Sequence, residues 1–347
     1  MGRLRHSDTP AAPRNYEQQL VLVYCGDGAG PSIVRHTLST LRQLLDHSRY
    51  SIETTTADFL RDSLDWEART ALLVMPGGRD LPYLRDLSAT TTTTAATATT
   101  TTAAHSAHRM HPHSRHRRSA AARIRSFVEA HGGRYLGICA GGYFASRKVE
   151  FEMGTAQEVV GMRPLEFFPG VCRGSVYGGY DWRSEAGARD VVLEVESSMP
   201  ADQARQRRQL VRCYFNGGGW FVDAAKMAHE NVSVWAHYPA SPASPASPFA
   251  VREERRAAVV ARRFPDSGGI AVMMGVHPEV DPALMDPLFY PGEGQRDMIR
   301  RLVAADKARR RFMASVFERM GLVCNASGIN GIISGSGQCS KPIQSFL

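Results

Sequence analysis

No run in the 347-residue chain approaches the roughly 20 consecutive apolar residues that a membrane-spanning helix needs. The opening MGRLRHSDTPAAPRNYEQQ lacks the apolar centre of a secretory signal peptide. Gly2, with His6 and Ser7 behind it, matches the myristoylation pattern poorly. Cysteine is sparse: Cys25, Cys139, Cys172, Cys213, Cys324 and Cys339 contain no C-x-x-C pair. That spacing excludes a zinc ribbon and a small disulfide framework. In a reducing compartment such scattered thiols are expected to be buried and inert, so a cytoplasmic protein away from membranes is expected. Acidic residues are missing altogether from 105–123, which holds five arginines. Taking those five away from the formal net charge of +8 leaves +3 on the rest, too little to argue for a nucleic-acid-binding body.

What is present is a patterned, 43% hydrophobic chain with two interruptions. Residues 89–104 are only Thr and Ala and run into the His/Arg-rich stretch. Together they mark an insertion over 89–119. The second insertion is PASPASPASP at 239–248, an extended Pro/Ser linker. Neither has a pattern able to bury apolar surface and offset the entropy of ordering it. Residues 1–18 and the Gly/Ser-rich 322–347 are expected to be flexible ends of a domain over 19–321.

Between the interruptions, strands and helices alternate. Gln19–Cys25, Tyr50–Thr55, Ala71–Met75 and Arg134–Ile138 read as strands. Ser32–Asp46 reads as a helix with Ile33, Val34, Leu38, Leu41, Leu44 and Leu45 inward, and 120–131 as another with Ile124, Phe127 and Val128 inward. Short β-like runs follow at Val159–Met162, Val191–Glu196, Leu210–Phe215 and Val232–His237, then longer ones at Ala257–Phe264 and Gly269–Val276. A last helix from Gly294 to about Met320 carries Arg300, Arg301, Arg309, Arg310 and Arg311 on a face expected to be solvated. Continuous apolar strands separated by helices predict a doubly wound parallel sheet covered on both faces. Such a sheet binds ligands at the carboxyl ends of its strands.

Three motifs fall at predicted strand ends. Gly137-Ile138-Cys139-Ala140-Gly141 has the G-x-C-x-G form of a nucleophile elbow between strand and helix. The helix amino terminus there stabilises negative charge at the sulfur, and the Ala140 N–H can donate to an oxyanion. An ordinary buried cysteine in a glycine-rich turn fits this motif nearly as well. Pro76-Gly77-Gly78 ends another strand, and Gly77 or Gly78 can supply a second oxyanion donor. His277-Pro278-Glu279 follows a third strand: the imidazole can take the thiol proton and the carboxylate can orient it. Asn216-Gly217-Gly218-Gly219 is either a ligand-approach turn or a plain β-turn. Phe167-Phe168-Pro169-Gly170 and Tyr177-Gly178-Gly179-Tyr180 either wall an aromatic pocket or form a satellite cluster.

VMPGG, LGICAGG and GVHPE, in that order, resemble the hinge, nucleophile and H-x-E segments of class I glutamine amidotransferases. VMPGGRDLPY, YLGICAGGYFAS, VEFEMGT, FFPGVCRGSVYGGYDW and YFNGGGWF together resemble the amino-terminal domain of fungal biotin–protein ligases over about 19–320, insertions excluded. The resemblance implies a flavodoxin-like α/β fold of the amidotransferase type. It implies a Cys139–His277–Glu279 triad, no cofactor or metal, and a small amide-like ligand. It also implies a biotin–protein ligase catalytic domain as a partner, with regulation of biotin attachment as a role. The last helix and RMGLVCN resemble the junction towards that catalytic domain.

Two departures bear on function. Tyr143 stands where amidotransferases carry the glutamine-organising Gln, which puts Tyr143, Asn216, Gly217 and Gly218 in a pocket of altered selectivity. Neither a GRGRxxN-like adenylate loop nor a KWPND-like motif occurs, so biotin transfer by this chain alone is not expected. Two other readings stay open. One is a non-catalytic interaction module that keeps the elbow for structural reasons. The other is nucleic-acid or metal binding through His105, His108, His111, His113 and His116, disfavoured by the lack of ordered pattern around them.

Overall fold

Four apolar runs make the centre of the sheet: β1 (Gln19–Tyr24), β3 (Thr70–Met75), β4 (Arg134–Ile138) and β13 (Gly269–Met274). Every residue of β3 and β13 is buried, as strands covered on both faces must be. With β2 (Tyr50–Thr55) they form a parallel array in the order β2-β1-β3-β4-β13. This is the flavodoxin-like doubly wound order, whose ligand crevice lies at the carboxyl ends of the strands. The computed structural model describes residues 18–90, 118–181, 183–196, 209–239 and 255–327.

Register explains why the motifs converge. Met75 of β3 pairs with Gly137 of β4, and Met274 of β13 pairs with Ile138. The turns after these three neighbouring strands therefore open side by side, although Cys139 and His277 are far apart in sequence. The flanking helices are α1 (Pro31–Leu44), α2 (Ala57–Asp62), α3 (Trp66–Arg69), α4 (Asp80–Ser88), α5 (Ala120–Glu129) and the single-turn α6 (Ala140–Phe144). Pro31 opens α1 where its missing N–H costs nothing, and the Ser119 hydroxyl caps α5 by accepting the Ala122 N–H.

The sheet is not parallel throughout. β12 (Ala257–Phe264) runs antiparallel to β13, and beyond it come β10 (Gly219–Phe221), β7 (Phe168–Gly174), β5 (Ser146–Phe151) and β6 (Val159–Met162). β11 (Val232–His237), β8 (Arg189–Val195) and β9 (Gln209–Phe215) branch from β12. Three of these strands, β5, β7 and β10, escape sequence reading because charges and glycines break their period. Phe167 and Phe168 are fully buried core residues, so they do not wall a pocket.

Two further expectations change. The buried face of α1 includes His36, Thr37 and Thr40, whereas Ile33, Val34 and Leu38 are only half-buried. His36 and Thr40 serve backbone groups of the loop after β13, while Thr37 donates its hydroxyl to the Ile33 carbonyl of its own helix. The end of the fold also extends past 321. Leu322 is buried, the Asn325 N–H donates to the Leu44 carbonyl at 2.7 Å, and the Asp46 N–H donates to Val323. Residues 1–17, 91–117, 240–254 and 328–347, with most of both insertions and the five insertion histidines, lie outside the described residues. No described helix is long and apolar enough to cross a membrane.

The final helix, α7 (Glu293–Arg319), buries Met298, Leu302, Phe312, Met313, Val316 and Phe317. Its basic face is solvated at Arg300, Arg301 and Arg311, with Arg301 paired to Asp190 at 2.7 Å, but Arg309 is 1% exposed and turns inward.

Candidate active site

The turn after β4 holds Cys139 at φ 50° and ψ −105°, a left-handed conformation that a non-glycine residue adopts only under strain. Such strain costs about 1–3 kcal/mol and persists where the surroundings over-determine it. Here Gly141 does so: a Cβ on it would lie 2.0 Å from the Met75 carbonyl oxygen. The Gly141 N–H donates to the Pro76 carbonyl and the Tyr143 N–H to the Cys139 carbonyl. The elbow is thus stitched to the neighbouring strand-end turn, and the Cys139 side chain projects into the cleft while remaining 7% exposed.

His277 leaves the end of β13 with its backbone N–H donated to the Tyr214 carbonyl at 2.9 Å. Its Nδ1 meets Glu279 Oε1 at 2.8 Å, both residues being almost wholly buried. With Nδ1 engaged by Glu279, Nε2 is the ring nitrogen left to serve the pocket that His277 and Cys139 both line. Burial alone opposes charge on the imidazole. The Glu279 carboxylate and the Cys139 sulfur outweigh it and hold the His277 pKa well above the ordinary range. Gly77 packs directly behind: a Cβ there would stand 2.4 Å from His277 Cε1.

The loop carrying His277 and Glu279 is clamped from two helices. Thr40 of α1 donates its hydroxyl to the Glu279 carbonyl at 2.8 Å, and His36 Nδ1 accepts the Asp281 N–H. Arg309 of α7 donates Nη1 to the Pro278 carbonyl at 2.7 Å and to Thr40 Oγ1 at 3.2 Å. Arg309 was invisible as a site residue in the sequence, because a basic run on a long helix ordinarily faces water.

A pocket of about 630 Å³ opens beside the sulfur. Cys139, Ala140, Gly78, His277, Tyr143, Asn216 and Gly217 all line it. Glu279 sits behind His277, out of the pocket. Gly77 and Gly218 do not line it either: a Cβ on Gly218 would lie 1.6 Å from the Gly275 carbonyl oxygen, so its role is close packing. Among the described residues, neither the Gly78 N–H nor the Ala140 N–H is taken up by a backbone hydrogen bond. The Tyr143 hydroxyl is already spent, donating to the Gly217 carbonyl at 3.1 Å, and its ring stands edge-on to Phe151. Of the four aromatics singled out in the sequence, Tyr180 alone reaches the pocket; Tyr177 packs on Phe215 and Tyr238. Arg79, Asp80 and Glu185 line it as well; Arg79 and Asp80 fall in the VMPGGRDLPY segment but are not among its candidate site residues, and Glu185 lies in no motif. Burial raises the Asp80 carboxyl pKa, and the Arg163 guanidinium, at 2.7 Å, counters it. Among the described residues no cluster of His, Cys, Asp and Glu could hold a metal.

Comparison with known proteins bears on the whole chain. The family model described as biotin-protein ligase, N terminal, matches residues 19–335. The biotin–protein ligase of Schizosaccharomyces pombe is 30% identical over 305 residues, 87% of this chain, and the chain spans 38% of that relative's length. An uncharacterized protein of Chlamydia muridarum is 30% identical over 268 residues, covering 76% of this chain and 82% of its own. Among solved structures, a glutamine amidotransferase of Thermotoga maritima is similar at 10% identity over 88% of this chain and 99% of that one, TM-score 0.44. The glutaminase domain of a Trypanosoma brucei CTPS is similar at 11% identity over 84% of this chain and 95% of that one, TM-score 0.37. With the family model matched across most of its length, the chain belongs to the biotin-protein ligase N-terminal family.

Proposed function

We propose that this domain performs cysteine-dependent acyl transfer on a small amide-like ligand, and through that ligand regulates biotin attachment by a biotin–protein ligase catalytic domain. The observation that supports the reading is that His277, paired with buried Glu279 at 2.8 Å, and Cys139, on a strained elbow, line the same pocket. The Cys139 sulfur attacks the ligand carbonyl carbon while His277 Nε2 takes the thiol proton. The Gly78 and Ala140 N–H groups stabilise the oxyanion. Collapse of the tetrahedral intermediate breaks the C–N bond, His277 returns the proton to the leaving nitrogen, and a thioester remains on Cys139. Water, deprotonated by His277, then adds to the thioester and releases a carboxylic acid and the restored thiol. Glu279 keeps the imidazole in one tautomer and stabilises imidazolium.

The test uses p-nitrophenyl acetate, which needs no specific binding. A burst of p-nitrophenolate stoichiometric with protein is expected, with an acetyl group recovered on Cys139 by peptide mapping. Cys139→Ser and His277→Ala are expected to abolish the burst. An acetyl group distributed over lysines, with none on Cys139, would sink the reading.

Glutamine is expected to be a non-substrate. A buried tyrosine whose single hydroxyl is committed to Gly217 cannot offer the paired donor and acceptor of an amide side chain. Mismatched polar groups in a closed pocket are rejected strongly. Ammonia release from glutamine is therefore expected to equal that of Cys139→Ala, and Cys139-dependent turnover would contradict this.

A further inference from the structure

The pocket beside Cys139 contains a carboxylate that the acyl-transfer chemistry leaves unused. Glu185 lines the pocket, and its Oε2 accepts the Tyr214 hydroxyl at 2.5 Å and the Asn216 side-chain N–H at 2.8 Å. Its backbone is fixed too: the Glu185 carbonyl accepts from Gln295 Nε2 at 2.9 Å and from the Ala188 N–H at 3.0 Å. Both donors that hold Oε2 also touch the reacting groups. The Tyr214 ring packs edge-on against His277 at 5.8 Å, and the Asn216 carbonyl lies 3.9 Å from Cys139 Sγ.

The other charges around the pocket are accounted for differently. Asp80 is paired with buried Arg163. Arg85 is shared between Asp27 and Asp86, and Arg79 stands 3.9 Å from Asp27. Glu158, at the exposed rim, accepts the Gly154 N–H. Glu185 has only neutral donors and no ion-pair partner among the described residues. A half-buried carboxylate so held is positioned to receive a cation, and a charged hydrogen bond there is stronger than a neutral one. Tyr180, Cys139 and Glu185 line the same pocket, and burial pushes the Tyr180 hydroxyl up to about 12. Val149, Phe151 and Val159 supply apolar wall for a short hydrocarbon link.

We propose that Glu185 is the specificity residue of this pocket, and that the ligand is an amide bearing a protonated amine that seats on Glu185 while its carbonyl reaches Cys139. The proposal rests on the reading of Cys139 as the nucleophile. It is tested with three methanethiosulfonates: aminoethyl (cationic), sulfonatoethyl (anionic) and methyl (neutral). Each forms a mixed disulfide with a cysteine sulfur and expels methanesulfinate, the thiol proton going to His277 or water. Rates at Cys139 and at exposed Cys25 are followed by peptide mapping and normalised to the neutral reagent.

The cation-to-anion rate ratio at Cys139 is expected to fall by about tenfold in Glu185→Gln, the size of a single charge removed at short range. The ratio at Cys25 is expected to stay fixed. Glutamine keeps an oxygen acceptor for Tyr214 and Asn216, so a purely structural role for Glu185 would leave both ratios unchanged and overturn the proposal. A second reading needs no variant: added salt is expected to compress the wild-type ratio at Cys139. A ratio near unity that ignores salt would also overturn it. The two levels are distinguishable. Cys139 inert even to the neutral reagent removes the nucleophile and both proposals with it, whereas a reactive Cys139 without charge preference removes only the assignment to Glu185.

Discussion

Replacing His277 with alanine is expected to slow iodoacetamide alkylation of Cys139 by about 100-fold at neutral pH, the scale of a positioned general base. In the native protein Cys139 is expected to react before every other described cysteine. Cys172 and Cys213 are buried, and burial pushes the Cys213 thiol up to about 12 and raises the Cys172 thiol well above its ordinary range. Burial likewise raises the Cys324 thiol to about 12. Cys25 is exposed and lies outside the pocket, so it serves as the internal reference. Should Cys25 outpace Cys139 in the native protein, or His277→Ala leave the Cys139 rate unchanged, the nucleophile assignment would lose its physical basis. Stability carries a related signature. The folded pKa of His277 is raised, so the stabilisation from imidazolium is complete below the ordinary range near 6.5 and is lost as pH rises through the raised value.

Arg309→Met is expected to destabilise the fold by about 3 kcal/mol, because removing one member of a buried charged network strands the others. For a domain of this size that corresponds to a fall in Tm of roughly 8 °C. Loss of Arg309 takes the donor from the Pro278 carbonyl, beneath the loop that aims His277, and the cation from Asp306, 2.7 Å away, while Thr40 keeps its bond to the Glu279 carbonyl. The same variant is therefore expected to slow alkylation of Cys139 as well, by a smaller factor than His277→Ala. Arg300→Met on the same helix is the control. Its side chain is 72% exposed, and surface changes of this kind stay within about 0.5 kcal/mol. Thermal unfolding of the pair separates the two: equal midpoints would mean that Arg309 is not the clamp.

The sequence by itself determined the parallel centre of the sheet and the order of the three strand-end motifs. Those strands are short apolar runs buried on both faces, so burial writes them directly into composition, and the turns are written by glycine and proline. It also determined that Cys139, His277 and Glu279 were candidates, since the residue types and their strand-end positions are local properties. The mixed extension beyond β12 was less legible: β5, β7 and β10 carry charges and glycines that break the apolar period. The tertiary structure was needed to pair Met75 with Gly137 and Ile138 with Met274, and this register brings a cysteine and a histidine from distant segments onto one pocket. It alone turned Arg309 inward and put Thr40 and His36 under the histidine loop, because a backbone carbonyl in need of a donor leaves no trace in sequence. Glu185 belongs to the same class. Its significance comes from Tyr214 and Asn216 across the pocket, and a carboxylate in a polar loop looks like any other until its neighbours are in place.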